Sequence, residues 1–232
     1  ILKGNFKLVG FKWKWQNFKL KKAYKKAAKI PDLNSQYIYV PLHYQPELTS
    51  CPLGVGYENQ HLIIQMLDYY LPEDYFIYVK ENPKQEIHAR HYDYYEDILK
   101  STKKVVFVPL ETSTFELMKN AQAIATITGT AGWEALFKKK AVMLFGHNFY
   151  QYAPGVSLIK TKEDAQKAIN DMINENFVYD ENKLKLFMQA VEDTAIKGHI
   201  DLVYKQVSKT STEESVTNIS DYINKFIDKN LC

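Results

Sequence analysis

The sequence has 232 residues, 46% hydrophobic and 25% charged, which is enough to bury a full core in one large domain or two small ones. This composition excludes a disordered chain, and the only two cysteines, Cys51 and Cys232, exclude a disulfide framework and favour a reducing cytoplasm. No apolar run approaches the roughly 20 residues of a transmembrane helix, and no signal-peptide pattern opens the sequence. We therefore expect a soluble cytoplasmic protein. Because the first residue is Ile rather than Met, we also expect either a fragment or a processed form of a longer chain.

The first 31 residues contain ten lysines and no acidic residue, whereas the rest of the sequence has 20 basic and 27 acidic residues. We place this lysine-rich segment at residues 1–34. One interpretation is that these lysines belong to a linker and to the solvent-exposed face of a helix. The other is a surface for anionic lipid headgroups, because Phe11, Trp13, Trp15 and Phe18 lie among the lysines. We expect no nucleic-acid partner, and peripheral contact with the inner membrane stays an open interpretation.

From residue 36 onward, short β-rich runs alternate with helical-period segments, which is typical of a parallel sheet with crossover helices. The predicted strands are 37–42, 75–80, 105–109, 123–128 and 141–145, and the predicted helices between them are 58–70, 91–101, 113–119 and 132–139. Three more predicted helices follow, at 162–174, 181–197 and 213–229, with a polar loop or hinge at 208–215.

This order of elements predicts an α/β fold with a doubly wound parallel sheet and extra C-terminal helices, over residues 35–232. Ligands of such sheets bind outside the carboxyl ends of the strands. The residues directly after each strand are therefore the candidates for a functional site.

A polar loop with two prolines and two glycines follows the first predicted strand. Its side chains Gln45, Glu47, Thr49 and Ser50 have the hydrogen-bonding groups that fix a sugar or a ribose. The alternative is a turn whose proline and glycine residues serve the backbone alone.

The second predicted strand ends in Lys80, and Asn82, Pro83 and Lys84 follow it. Positive charge and the backbone N–H groups of a turn at this place predict a phosphate contact. Asn-Pro is also an ordinary turn initiator, so a purely structural role stays open.

The fourth predicted strand leads through Thr128, Gly129 and Thr130 to Gly132 and Glu134. Small residues allow a ligand to approach the backbone, and free N–H groups at the start of a helix stabilise a phosphate. The Glu134 carboxylate would accept hydrogen bonds from ribose hydroxyls or cap the helix. The segment matches neither the dinucleotide fingerprint G-x-G-x-x-G nor a Walker A loop.

His147 follows the fifth predicted strand, where it would face a donor or an acceptor or have no functional role. The sequence has no cluster with metal-ligand spacing and no D-x-D pair after a strand. We therefore expect no metal and no cofactor beyond a bound substrate.

Taken together, these loops resemble those of capsule polysaccharide biosynthesis proteins. Gln45-Pro46-Glu47 followed by Thr49-Ser50 resembles that family's Q-P-E-x-S motif, and Asn82-Pro83 stands where the family usually has His-Pro. The segments 128–135, 140–142 and 146–150 follow in the family's order and spacing.

The resemblance implies the Rossmann-like, donor-binding C-terminal half of a GT-B glycosyltransferase, with CMP-Kdo as donor and a glycan or glycolipid as acceptor. Gln45, Glu47 and Ser50 would then line the donor site, with Pro46 in their motif, and Glu47 is also a candidate catalytic carboxylate. Pro83 would shape the turn beside the nucleotide phosphate.

The same resemblance implies that residues 128–130 contact the phosphate or the sugar carboxylate and that Glu134 faces the nucleotide. Asn82 departs from the family pattern, because an amide cannot carry the charge of a histidine. Lys80, Lys84 or a helix terminus would have to replace that charge. The general base commonly comes from the N-terminal half, of which this sequence contains little, so no residue is assigned to it.

Two other interpretations stay open. One is a UDP-sugar transferase or an enzyme like UDP-GlcNAc 2-epimerase, because these proteins share the architecture and a glycine-helix phosphate site. The other is a non-catalytic module that binds a nucleotide sugar and docks to a membrane assembly through its lysines.

Overall fold

The computed structural model describes residues 2–174, 177–200 and 202–230, with side chains from residue 10 onward except at positions 202 and 203. The chain divides into two compact units, Ile1–Asp180 and Glu181–Cys232. The domain division predicted at residues 34 and 35 concerns a different boundary and stays a prediction.

The first unit contains a six-stranded sheet and six helices among its described residues. In chain order they are α1 (Leu2–Ala27), β1 (Gln36–Pro41), α2 (His61–Tyr70), β2 (Tyr75–Lys80), α3 (Tyr94–Ser101), β3 (Val105–Phe107), α4 (Thr114–Asn120), β4 (Ala123–Thr126), α5 (Thr130–Leu136), β5 (Ala141–Leu144), β6 (Val156–Leu158) and α6 (Lys162–Ile173).

Every neighbouring pair of strands is parallel, and the order across the sheet is β3-β2-β1-β4-β5-β6. This is the order of a doubly wound, Rossmann-like sheet, so the predicted fold class is confirmed. All five predicted strands are present. Strand β6 has only three residues and was not predicted.

The side chains of β1 point alternately to the two faces of the sheet and show how each face is covered. Ile38 and Val40 belong to the core cluster that includes residues of α1, α2, α3 and α6. Tyr37 and Tyr39 point to the other face, because side chains alternate along a strand. On that side the hydroxyl of Tyr37 donates to the carbonyl of Leu117 in α4 at 2.8 Å. Helices therefore pack on both faces.

The lysine-rich segment is helical from residue 2 to residue 27. Leu20 and Tyr24 are only 2% and 4% exposed and belong to the core cluster. The hydroxyl of Tyr24 donates to the carbonyl of Val108 and accepts from the backbone N–H of Glu81. The last turns of α1 are thus part of the packed fold, which corrects the interpretation of the whole segment as a linker. Among the described residues, no helix combines the length and apolarity needed to cross a bilayer.

The second unit contains α7 (Glu181–Thr194), α8 (Leu202–Lys205) and α9 (Thr212–Asn230) among its described residues. The two helices predicted there are confirmed as α7 and α9, and α8 was missed. The predicted loop 208–215 is shorter than expected, because α9 begins at Thr212. The Ser211 hydroxyl accepts from the N–H of Glu214 at 3.1 Å, as a capping serine does.

Candidate functional site

The order of the strands reverses between β1 and β4, and a doubly wound sheet binds its ligand at that point. Because β1 and β4 are adjacent and parallel, the loops that follow them meet at one edge. The loop after β1 is the Q-P-E segment, and the loop after β4 leads into α5. The structure therefore brings together two of the predicted site segments.

His43 lies at the centre of this junction, although the sequence analysis gave it no role. Its Nε2 is 3.0 Å from the hydroxyl of Thr126 and 3.4 Å from the backbone N of Thr128. The Thr126 hydroxyl also accepts from the N–H of Gly129 at 3.1 Å. One imidazole thus joins the ends of β1 and β4, and its place directly after a buried strand was the signal available in the sequence.

Burial lowers the pKa of His43 to about 4, and the positive charge of Arg90 lowers it further in the same direction. The ring is therefore neutral near pH 7. In a neutral ring whose Nε2 carries no proton, that nitrogen accepts from the hydroxyl of Thr126 and from the backbone N–H of Thr128.

Titration of His43 is expected to make the protein less stable in acid. The folded pKa lies below the ordinary 6.5, so the unfolded chain binds this proton more readily. The stabilisation is complete above pH 6.5 and is lost as the pH falls through about 4, a loss of about 3 kcal/mol. Urea unfolding at about pH 7 and about pH 4 would measure this loss.

The variant His43→Gln should lose less stability than the wild type over that interval. His88→Gln is the matched control for the substitution itself, because the side chain of His88 is 55% exposed, and it should keep wild-type stability at about pH 7. Equal pH slopes for the wild type and His43→Gln would contradict the assignment.

The Q-P-E loop and the loop after β4 are also joined directly. The hydroxyl of Thr128 donates to the carbonyl of Thr49 at 2.6 Å, and the hydroxyl of Thr49 donates to the carboxylate of Glu47 at 3.0 Å. Glu47 is exposed, whereas Ser50 is fully buried and donates to the carbonyl of Glu47. The carboxylate of Glu47 can therefore meet a ligand, while the Ser50 hydroxyl holds the turn, and Pro46 is exposed beside them.

The polar atoms of Gln45 are all engaged inside the protein. Its Nε2 donates to the carbonyl of Glu58 at 2.7 Å, and its Oε1 accepts from Gln60 at 2.9 Å and from Arg90. Its backbone exchanges two hydrogen bonds of 2.9 Å with the side-chain amide of Gln85. Gln45 therefore positions the loop after β1 and is only 8% exposed.

Beneath this loop lies a buried ion pair that was not predicted from the sequence. Arg90 Nε is 3.0 Å from Glu81 Oε2, and the two residues are 2% and 4% exposed. Glu81 also accepts from the hydroxyl of Tyr95 and from the N–H of Asn82. Arg90 donates further to Gln45 and to the carbonyl of His43. The pair thus fixes the ends of both β1 and β2.

The second predicted phosphate segment lies beside this pair, after β2. Lys80 Nζ donates to the carbonyl of Thr112 at 2.6 Å and to the hydroxyl of Thr114 at 3.0 Å, and burial lowers its pKa. Its ammonium is thus turned to the loop after β3, away from β4. The Asn82 Oδ1 accepts from the N–H of Lys84 at 3.0 Å.

A cavity of ≈ 370 Å³ opens next to the Asn82 turn, between α1 and the loops after β2 and β3. Asn82, Pro83 and Glu111 line it on the sheet side, and Lys21 and Lys25 line it from α1. Lys84 is exposed close by in sequence. Positive charge near this turn therefore comes from α1 as well as from the loop.

The loop before α5 differs from the expectation in one respect. The N–H groups of Thr128 and Gly129, predicted to be free for a phosphate, are bonded to His43 and to Thr126. Thr130 and Glu134 are exposed on α5, where a ligand can reach them.

Gly132 serves packing in this structure. A Cβ there would lie 2.6 Å from the hydroxyl of Tyr150 and 3.1 Å from Cγ1 of Val142. The missing side chain allows α5 to approach β5, and that contact was not predicted.

His147 lies on a separate part of the same edge. It is exposed, with Nδ1 3.0 Å from the Oε1 of Gln151. A second cavity of ≈ 550 Å³ is lined by His147, Tyr57 and Lys160. Among the described residues, no group of three or more His, Cys, Asp or Glu is placed to hold a metal ion.

An all-parallel, doubly wound sheet with a polar junction at its switch point defines a Rossmann-like α/β domain. The family model for capsule polysaccharide biosynthesis proteins matches residues 16–199, which is more than half of the sequence. The chain belongs to this capsule polysaccharide biosynthesis family. A search of curated protein sequences found no match.

Several solved structures are similar to this chain. UDP-GlcNAc 2-epimerase from Methanocaldococcus jannaschii is 17% identical with a TM-score of 0.47, over 76% of this chain and 50% of the epimerase. Thermosulfurimonas dismutans KpsC, a beta Kdo 2,7 transferase, is 16% identical with a TM-score of 0.43, over 69% of this chain and 62% of KpsC. The chain spans about half the length of the epimerases that it matches.

Proposed function

We propose that the chain is the donor-binding part of a glycosyltransferase of capsule or surface polysaccharide biosynthesis. It would transfer a sugar from a nucleotide-sugar donor, with CMP-Kdo as the first candidate, to a glycan or glycolipid acceptor. The observation that carries this proposal is the meeting of the Q-P-E loop and the loop before α5 at the switch point of the sheet. Family membership supports the same biosynthetic role.

The exposed polar groups around this junction are the proposed donor contacts. Glu134 and Thr130 lie on α5, and Glu47 lies across the junction on the Q-P-E loop. We assign Glu134 to the ribose hydroxyls and Thr130 to the phosphate or the sugar carboxylate. Glu47 contacts the transferred sugar, and it is the candidate for a catalytic carboxylate. Gln45, Ser50 and Gly132 keep these groups in place.

The departing nucleotide phosphate needs positive charge, because negative charge grows on it as the sugar leaves. Lys80 is bonded to the loop after β3, so we assign this role to Lys84 and to Lys21 and Lys25 of α1, beside the Asn82 turn. Lysines can supply this stabilisation without a metal ion. We therefore propose a metal-independent transfer, in keeping with the absence of a D-x-D pair after any strand in the sequence.

Calorimetric titration with CMP, CMP-Kdo, UDP and UDP-GlcNAc tests the proposal. We expect CMP and CMP-Kdo to bind, and Glu134→Gln to weaken binding about tenfold, because a hydrogen bond to a charged acceptor contributes roughly 1.5–3 kcal/mol. Glu163→Gln, at an exposed glutamate of α6, is the matched control and should bind like the wild type.

Other outcomes lead to the alternative functions. If none of the four ligands binds, the donor-domain proposal is wrong. Preference for UDP would favour a UDP-sugar transferase or an epimerase-like enzyme, and product analysis separates these two because epimerisation needs no acceptor. Donor affinity without turnover would favour a non-catalytic binding module.

A further inference from the structure

We propose that the outer face of α1 binds the surface of an anionic lipid bilayer, an interaction separate from the proposed transfer reaction. Phe11, Trp15 and Phe18 share one stripe of this helix, since residues four and seven positions apart lie on the same face. Their exposed fractions are 72%, 51% and 63%. A contiguous exposed aromatic stripe on a folded domain marks a contact surface.

The opposite face of α1 fixes the direction of this stripe. Leu20 and Tyr24 are buried in the core, and the side-chain oxygen of Asn17 accepts from the N–H of Ile87 at 2.8 Å. At roughly 100° per residue, Leu20 lies about 160–180° around the helix from Phe11 and Phe18, and Tyr24 and Asn17 lie about 100–140° from them. The packed side chains hold the helix in one rotation, so the aromatic stripe points away from the sheet.

Lysines border the stripe on both sides. By the same helical geometry, one side carries Lys14, the other carries Lys12, Lys19 and Lys26, and Lys22 lies on the stripe itself, whereas Lys21 and Lys25 line the cavity beside the Asn82 turn. No acidic residue occurs before Asp32. Among the residues that the structure describes, no ion pair joins these lysines to a carboxylate. The face is thus apolar along its middle and positive along both edges.

This pattern matches a bilayer surface of anionic lipids. Aromatic rings favour the zone between headgroups and acyl chains, while lysine stems extend outward and place their ammonium groups among the phosphates. The Nζ of Lys19 lies 3.8 Å from the centroid of the Trp15 ring, so charge and ring already form one unit.

Other partners fit this face less well. A second copy would bring two rows of lysines together without any compensating acidic residue, and their repulsion opposes pairing. A nucleic acid would satisfy the lysines through its phosphates. The two phenylalanines and the tryptophan would then need unstacked bases on which to stack. A lipid surface satisfies the rings and the lysines at once.

Co-sedimentation of the full chain with vesicles tests the proposal. One set of vesicles contains phosphatidylglycerol and phosphatidylcholine in equal parts, and the other contains phosphatidylcholine alone. We expect binding to the anionic vesicles only. The triple change Lys12→Gln, Lys19→Gln and Lys26→Gln should lower the partition coefficient about 100-fold, since each lysine near such a surface contributes roughly fivefold.

The rings are tested by the double change Trp15→Ser and Phe18→Ser, which should weaken vesicle binding at least tenfold at unchanged charge. Matched controls are Tyr69→Ser, at a ring that is 80% exposed on α2, and the triple change Lys103→Gln, Lys119→Gln and Lys167→Gln elsewhere on the surface. Both controls should bind like the wild type. Binding should also shift the tryptophan emission to shorter wavelength, and Trp15→Phe should remove that shift.

Three results would overturn the proposal. They are no binding of the wild type to anionic vesicles, equal losses in the α1 variants and their controls, and tighter binding to a poly(U) single strand than to the vesicles at the same salt concentration. The last result would assign the face to nucleic acid.

Discussion

Replacing Arg90 by methionine is expected to lower the free energy of unfolding by about 3–5 kcal/mol, because it leaves the carboxylate of Glu81 buried without its charged partner. Arg90 and Glu81 are almost completely buried, and their 3.0 Å contact is one of several that converge on this pair. The same change removes the donors to Gln45 and to the carbonyl of His43. Urea unfolding followed by circular dichroism measures the loss.

A double-mutant cycle separates the pair from other effects of the substitution. Glu81→Gln combined with Arg90→Met should cost less than the sum of the two single changes, because the double variant buries no unpaired charge. The exposed pair of Glu96 and Lys100 on α3, 2.8 Å apart, provides the matched control. Lys100→Met should cause no measurable change, since exposed ion pairs contribute little. A loss below about 1 kcal/mol for Arg90→Met would contradict the assigned role.

The same variant links stability to the proposed site. Arg90 and Glu81 lie beneath the loops after β1 and β2, and neither is turned to the exposed edge. If they position Gln45 and His43, donor affinity should fall in Arg90→Met even under conditions where the variant is folded. Unchanged affinity in the folded variant would restrict the pair to a purely stabilising role.

The sheet could be predicted from sequence because its strands are short, apolar and separated by helical-period segments. Such runs are typical of strands buried on both faces, and their order alone implies parallel pairing. The three residues of β6 give too short a signal for that argument. The packing of the lysine-rich segment against the sheet was harder to predict for another reason. Its burial depends on Leu20 and Tyr24, which stand among so many lysines that the charge pattern conceals them.

The candidate site was predictable in position but less so in the roles of its residues. Strand ends located the Q-P-E loop and the loop before α5, and the structure joins them through Thr49 and Thr128. Sequence cannot show whether a polar side chain faces outward or is satisfied inside. Gln45 looked like a ligand contact for that reason, although its partners Gln60 and Arg90 lie 15 and 45 positions away.

The buried ion pair of Arg90 and Glu81 could not be predicted from the sequence either. Charged residues are mostly exposed, so nothing in the local pattern predicts a buried arginine. The segment between Glu81 and Arg90 is irregular, with neither helical nor strand period to place the two residues together. Only the folded chain shows that these charges meet.

Replacing Gly146 by alanine is expected to cost about 2–3 kcal/mol of folding free energy, because the added methyl group has no room. A Cβ at this position would lie 2.6 Å from the carbonyl oxygen of Leu53 and 2.8 Å from Cγ2 atoms of both Ile127 and Thr128. The Leu53 oxygen cannot easily move away, since it accepts from the N–H of His147 at 2.9 Å. Urea unfolding measures the cost.

Gly56 is the matched control for this change, because a Cβ there would meet nothing within 4 Å. Gly56→Ala should keep wild-type stability or gain a little through the less flexible unfolded chain. The two glycines also differ in their link to the site. The methyl group at Gly146 would push on Thr128, whose hydroxyl holds the Q-P-E loop at Thr49, so Gly146→Ala should also weaken donor binding. If Gly146→Ala matched Gly56→Ala in both stability and affinity, the close packing of the three strand ends could not be what shapes the site.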